Sequence, residues 1–169
     1  MKKVICMLAL LAGTMTMFAQ TKFHDREYSE VTGPVKSIKT SVMGMDQTTT
    51  FTQDGKMQNS LMTDVVYDAD GYIQSASIEV QGQKMPMKFK WENGKLVSQI
   101  MSMMGNDIEI KITYDEKGMR SAQSMDFNGQ TMEIPYTDYK FDDRGNWISR
   151  KTSMMGQEMV ENRTIEYFE

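Results

Sequence analysis

The residues in this chain best suited to chemistry are its methionines. Met43 and Met45, Met85 and Met87, Met101, Met103 and Met104, and Met154 and Met155 stand in close-spaced groups. A thioether is a soft donor, and where cysteine is lacking it is the ligand left for Cu(I) or Ag(I). Two methionines at i and i+2 of a strand project from one side, about 6–7 Å apart, a span that suits a shared soft ion. Met103, Met104, Met154 and Met155 form the candidate metal set, because they fall at turns that would gather along one rim of a sheet. Two other uses compete. Methionine is an adaptable core filler, and Met-rich surfaces also dock varied apolar partners.

Other chemistry is poorly served. Asp68, Ala69, Asp70 and Gly71 alternate acidic oxygens as a calcium loop does. Tyr72 and Ile73 then occupy the next ligand positions, and no bidentate glutamate follows at the needed distance. Turn capping by aspartate, with glycine in the left-handed position, accounts for this segment and for Asp115-Glu116 and Asp142-Asp143. His24 is the only histidine and Cys6 the only cysteine, and no serine elbow flanked by glycines occurs. Ser-His-Asp, Cys-His and Cys/His zinc sites therefore lack their parts. Acids for a glycosidase-type carboxylate pair are plentiful, but nothing in their spacing selects one. A non-enzyme without a cofactor is expected.

Residues 1–20 have the form of an export signal. Lys2 and Lys3 supply the positive start, Val4 to Phe18 a mostly apolar run, and Ala19 a small residue at the cleavage point. Cys6 lies within the apolar run, so it is expected to leave with the signal and not to carry a lipid. No later segment approaches the ~20 apolar residues of a spanning helix. The reading is an exported chain, periplasmic or extracellular and not lipid-anchored, with residues 21–169 forming a single all-β repeat domain. Those 149 residues contain 15 of the 19 methionines and no cysteine. Stability must then come from a core, which about 150 residues can build. Without Lys2 and Lys3 there are 17 basic against 23 acidic residues, which argues against nucleic acid as a partner.

A repeat must position whatever site exists. An aromatic residue followed by an acidic or amide turn ending in glycine recurs at Phe51 to Gly55, Tyr67 to Gly71, Trp91 to Gly94, Tyr114 to Gly118 and Phe141 to Gly145. Tyr167 is a sixth such aromatic. A second set of glycine turns, at Gly44, Gly82, Gly105, Gly129 and Gly156, alternates with the first. From Gly71 and from Gly82 onward both sets advance by 23, 24 and 27 residues, the length of two strands and two tight turns. The shorter interval from Gly55 to Gly71 predicts a shorter hairpin.

Ile108, Ile110, Ile112 and Tyr114 alternate with polar residues, as do Met85, Met87, Phe89 and Trp91. Met132, Ile134 and Tyr136 alternate likewise until the phase shifts, which predicts a bulge near Thr137-Asp138. Strands leaving the first turn set, such as Leu96 to Met103 and Trp147 to Met154, alternate poorly. Only Phe23 to Glu30 suggests a helix. The count is about 11–12 strands from Val35 onward, an all-β antiparallel meander built from hairpin repeats. So many strands require curling into a half-barrel or barrel. An open meander would leave strands near Val35 and Thr164 as edges available to other molecules.

The aromatic-Asp-x-x-Gly turn followed by pairs such as Tyr72-Ile73 or Asn146-Trp147 resembles the YD repeat of the Rhs family. Its fullest copy runs from Phe141 to Trp147. The chain is also similar to small uncharacterised secreted bacterial proteins built from a few such units. In the large Rhs proteins these hairpins make a hollow shell around a toxin. What the resemblance implies here is β-hairpin architecture, and no catalytic residue comes with it.

The functional expectation is a non-enzymatic binding module that holds an apolar small ligand or an envelope protein partner on a curved sheet. Met85, Met87, Phe89, Trp91, Ile108, Ile110, Ile112, Met132, Ile134 and Tyr136 are its candidate ligand-binding residues. The alternative is extracytoplasmic copper or silver binding through the methionine thioethers.

Overall fold

The computed structural model of the chain describes residues 22–169, apart from 59–60, 81, 104, 128–129 and 155 and the side chains of Val80, Met103 and Phe127. Residues 1–20, read above as an export signal, lie outside them. A short helix, α1 (Asp25–Tyr28), precedes twelve strands: β1 (Val35–Val42), β2 (Met45–Phe51), β3 (Met57–Gln58), β4 (Met62–Tyr67), β5 (Ile73–Val80), β6 (Gln83–Glu92), β7 (Lys95–Met103), β8 (Asn106–Tyr114), β9 (Arg120–Phe127), β10 (Gln130–Phe141), β11 (Trp147–Met154) and β12 (Gln157–Tyr167). They form one antiparallel sheet that is not closed into a barrel. No helix among the described residues is long and apolar enough to cross a membrane.

Local chemistry builds the hairpins. In the turn after Tyr67, one carboxylate oxygen of Asp68 accepts from the backbone N–H groups of Asp70 and Tyr72, at 3.0 and 2.9 Å. Asp115 does the same for Lys117 and Met119, and Asp142 for Arg144 and Asn146. These aspartates are therefore spent on their own backbone. Among the described residues no group of three or more His, Cys, Asp or Glu could hold a metal ion. The second turn set gives two-residue loops, with Val42 opposite Met45 and Val80 opposite Gln83.

The strand order is β3-β2-β1-β12-β11-β10-β9-β8-β7-β6-β5-β4. This corrects two expectations. The strands at Val35 and Thr164 are not edges, because they pair with each other, Val35 opposite Tyr167 and Lys39 opposite Thr164. The short hairpin between Gly55 and Gly71 does not form, because β3 and β4 sit at opposite edges of the sheet. The reason is the curl. Gln58 and Met62 are four residues apart, so the chain can separate them by at most about 14 Å. The sheet must bend until its two ends face one another across a narrow seam.

The segment from Lys22 to Pro34 occupies that seam and the inner face beside it. Lys22 and Phe23 donate backbone N–H bonds to Asp54 O on one side, and His24 donates to Gly71 O on the other. Asp25, fully buried, accepts through one oxygen from Met57 N at 2.6 Å and from the Tyr67 hydroxyl at 2.8 Å. One carboxylate thus ties β3 to the end of β4. Arg26 donates to Val35 O and Thr52 O, pinning the helix to the β1–β3 side. Tyr28 meets the Phe89 ring edge-on at 5.7 Å. Beneath the helix lie two apolar clusters, one of Ile73, Ala76, Met87, Phe89, Leu96 and Ile112, the other of Val31, Val35, Ile38 and Phe51. Met57 packs against both.

Gly71 is where this packing is tightest. Its φ is +90°, and a Cβ there would lie 2.0 Å from Lys22 O. Gly71→Ala is therefore expected to cost about 3 kcal/mol, from left-handed backbone strain plus a clash with main chain. Gly44→Ala, whose Cβ would meet open space, should cost only about 1 kcal/mol. Urea midpoints compare the two variants, and equal losses would show that the seam contact is unimportant.

Candidate functional site

The face that α1 packs against is the concave, inner one, and cross-strand register sorts the other residues onto it. On β5 to β10 it is largely apolar, interrupted by Gln99, opposite Phe89 and Ile110, and by Gln123, opposite Ile112 and Ile134. Ile78 stands opposite Met85, Met101 opposite Ile108, Ile110 opposite Met125, and Met125 opposite Met132. The ten predicted ligand-binding residues therefore share one face, but at two depths. Met87, Phe89 and Ile112 are buried in the core beneath Tyr28, and Trp91 packs on that core with its indole N–H bonded to Ile73 O at 2.7 Å. Met85, Ile108, Ile110, Met132, Ile134 and Tyr136 lie nearer the second turn set and stay half-buried.

Most of the candidate metal set falls outside the described residues. Met104, Met155 and the Met103 side chain lie outside them, and Met154 is exposed at the end of β11. Met43 and Met45, at 70% exposure each, project into solvent. His24 stacks on Tyr72 at 3.9 Å and its Nδ1 lies 3.3 Å from Glu27.

The other half of the inner face carries charge that sequence reasoning missed. Arg150 stands opposite Glu161 and bonds it at 2.6 Å. Glu30, delivered by the segment after α1, bonds Arg150 Nη1 at 3.0 Å and lies 3.4 Å from Arg120 Nε. Arg120 donates to Tyr28 O and Arg163 to Ser29 O. The Arg150 and Arg163 guanidiniums lie 4.2 and 3.4 Å from the Trp147 ring centroid, and Arg150 also covers Tyr136 at 3.8 Å. Burial alone would lower the Arg150 guanidinium, but Glu30 and Glu161 outweigh it and hold it above its ordinary value. Arg163 has no carboxylate within ion-pair distance among the described residues, and burial pushes it down to about 9. Burial likewise raises the Tyr136 hydroxyl to about 12.

No protein-family model matches the chain, and no curated protein matches it. The site must be read from its own geometry. Asn146 holds the N-terminal segment by accepting from Thr32 N at 2.7 Å and donating to Thr32 O and the Tyr167 hydroxyl. The only sequence signal for this region was the Asn146-Trp147 pair in the fullest turn copy. Glu30 and Arg163 carried none. Both carboxylates of the cluster act as counter-ions to Arg150, and the inner face sets a largely apolar ladder beside fixed, buried cations.

Proposed function

We propose that this protein is an exported binding module, without a reaction of its own, that holds an apolar small ligand on the inner face on the second-turn side of the N-terminal segment. The observation that carries this reading is the half-buried ladder of Met85, Ile108, Ile110, Met132 and Ile134 across β6 to β10. The lower part of the same face is covered by α1, which leaves the half-buried ladder beside it partly open to solvent. Apolar walls with a few polar groups nearby, here Tyr136 and Thr152, are the usual make-up of such sites.

The test is a titration with the neutral fluorophore N-phenyl-1-naphthylamine. Saturable, blue-shifted binding is expected, and Ile110→Asp or Met132→Asp should weaken it about tenfold or more, because a carboxylate would then face the apolar ligand. Binding that never saturates, or that ignores both substitutions, would remove the ladder as the site.

A further inference from the structure

The five hairpins of the second turn set, from β1–β2 to β11–β12, all turn at one end of the sheet. Their four-residue turns, 42–45, 80–83, 103–106, 127–130 and 154–157, contain no charged residue and nine methionine, valine or phenylalanine residues. Every turn of the first set, at the other end, carries at least one charge. Of the described side chains at the uncharged tips, Met43 and Met45 are each 70% exposed and Met154 is 38% exposed. Apolar side chains gathered in solvent at one end of a molecule mark a contact surface.

The backbone of Met43 points the same way. It holds φ 51°, in the left-handed region, at the first position of a two-residue hairpin turn. Asparagine or glycine meets that geometry at less cost. Methionine there sacrifices some stability and provides an exposed, flexible thioether. In the sequence, methionine also precedes Gly105 and Gly156.

Charge behind the tips narrows the partner. On the outer face, the register sets one exposed acid beside each turn: Asp46, Glu79, Asp107, Asp126 and Glu158. Lys84, opposite Glu79, is the one cation in that row. The next outer row adds Lys39, Lys151, Glu109 and Glu133, so the two rows hold seven acids against three lysines. Lys39 and Lys151 pair with Asp46 and Glu158, whereas Asp107 and Asp126 meet only the hydroxyls of Ser102 and Thr131 among the described residues. On the inner side, Glu161 stands opposite Val42 but is held by Arg150.

Apolar tips backed by an excess of acid fit an apolar surface edged with positive charge, and they disfavour anionic lipid. Thioethers adapt to varied apolar shapes, as a peptide stripe requires. We infer that this rim docks a cationic amphipathic peptide, its apolar stripe on the methionine tips and its lysines or arginines against the acids behind them. The site is separate from the inner-face ladder.

The test follows the fluorescence anisotropy of labelled LKKLLKLLKKLLKL, a designed peptide whose leucines and lysines fall on opposite helix faces. Saturable binding at low salt is expected, weakening as salt is added. The counterpart with glutamate for every lysine should not bind. Met43→Asn combined with Met45→Ser should weaken binding about tenfold by removing two apolar contacts. Met43→Asn alone should leave the urea midpoint equal or higher, because asparagine suits the turn, so the weakening cannot be laid to unfolding. Asp107→Asn combined with Asp126→Asn, both exposed, should weaken binding about threefold and flatten its salt dependence. Binding that never saturates, equal binding of the glutamate peptide, or unchanged affinity in both double variants would overturn the inference. Sedimentation of the protein alone and with zwitterionic vesicles checks the other occupants. If the Met43 and Met45 changes abolish self-association or vesicle binding while peptide affinity stays, the rim belongs to a second copy or to lipid, and the inference falls.

Discussion

Replacing Glu30 with alanine is expected to lower the unfolding free energy by about 3–5 kcal/mol, the usual consequence of removing one partner from a buried ion pair. Glu30, Arg120 and Arg150 have side chains only 10, 8 and 6% exposed, so water cannot take over from the missing carboxylate. Arg150 would keep Glu161, but Arg120 would be stranded near Arg163, which has no carboxylate within ion-pair distance among the described residues. A domain of this size has about 5–15 kcal/mol in all, so the loss should be plain in a urea titration. Adding Arg120→Met to Glu30→Ala should recover part of it, because one stranded cation is removed with a side chain of similar length. An unchanged urea midpoint for Glu30→Ala would show that the cluster does not hold the N-terminal segment in place.

Asp25 should separate charge from hydrogen bonding. Burial raises its carboxyl above the ordinary 3.8, although the bonds from Met57 and Tyr67 oppose the shift. Among the described residues no cation lies within ion-pair distance, and its second oxygen has no hydrogen-bond partner. Between 3.8 and its raised folded value the native chain binds more proton than the unfolded one, so stability falls as pH rises through that window. Above the window the loss is complete, and below it the loss is absent. Asp25→Asn keeps an acceptor oxygen and is neutral at every pH. It should therefore match or exceed the native chain at pH 7, with the difference shrinking on acidification below the window. Asp25→Ala leaves Met57 N–H and the Tyr67 hydroxyl without their acceptor and should cost about 2–4 kcal/mol. Equal losses for the two variants at pH 7 would rule out a charge penalty at this position.

What could be read from the sequence was what is local. Asp68, Asp115 and Asp142 cap their own turns, so the hairpins follow from residues within five positions of one another. The alternation of Ile108 to Tyr114 marks one face without reference to any other strand. The bulge predicted near Thr137-Asp138 is present, with the ladder slipping between Thr137 and Lys140 and Asp138 in the left-handed region at φ 53°. The poor alternation in β7 and β11 has a related cause. The ladder slips at Trp91, at Tyr114 and at Phe141, beside the first-set turns, so the face presented changes phase there. Trp147 and Arg150 are both buried on the inner face although they are three residues apart.

The rest depended on distant partners. Met87, Phe89 and Ile112 looked like an open binding face, and only the position of Tyr28 shows them to be floor. An inward arginine such as Arg150 breaks the rule that apolar residues face in, and it makes sense only with Glu30, 120 positions away. The pairing of β1 with β12 is equally remote, since nothing near Val35 announces Tyr167.

That last pairing sets an order of events. The meander from β4 to β11 consists of neighbours in sequence, so it can zip together as the chain emerges. β1, β2 and β3 pair with one another early, yet the other edge of β1 has no ladder partner until the eleven-residue strand β12, Gln157–Tyr167, is complete. Long-range pairing of this kind is slow. Until it happens, the chain carries two bare strand edges, on β1 and on β11, that are ready to pair with another copy. Completion of β12 thus acts as the closing step of sheet assembly, and a chain interrupted before Gln157 is left as two sheets with no strand pairing between them.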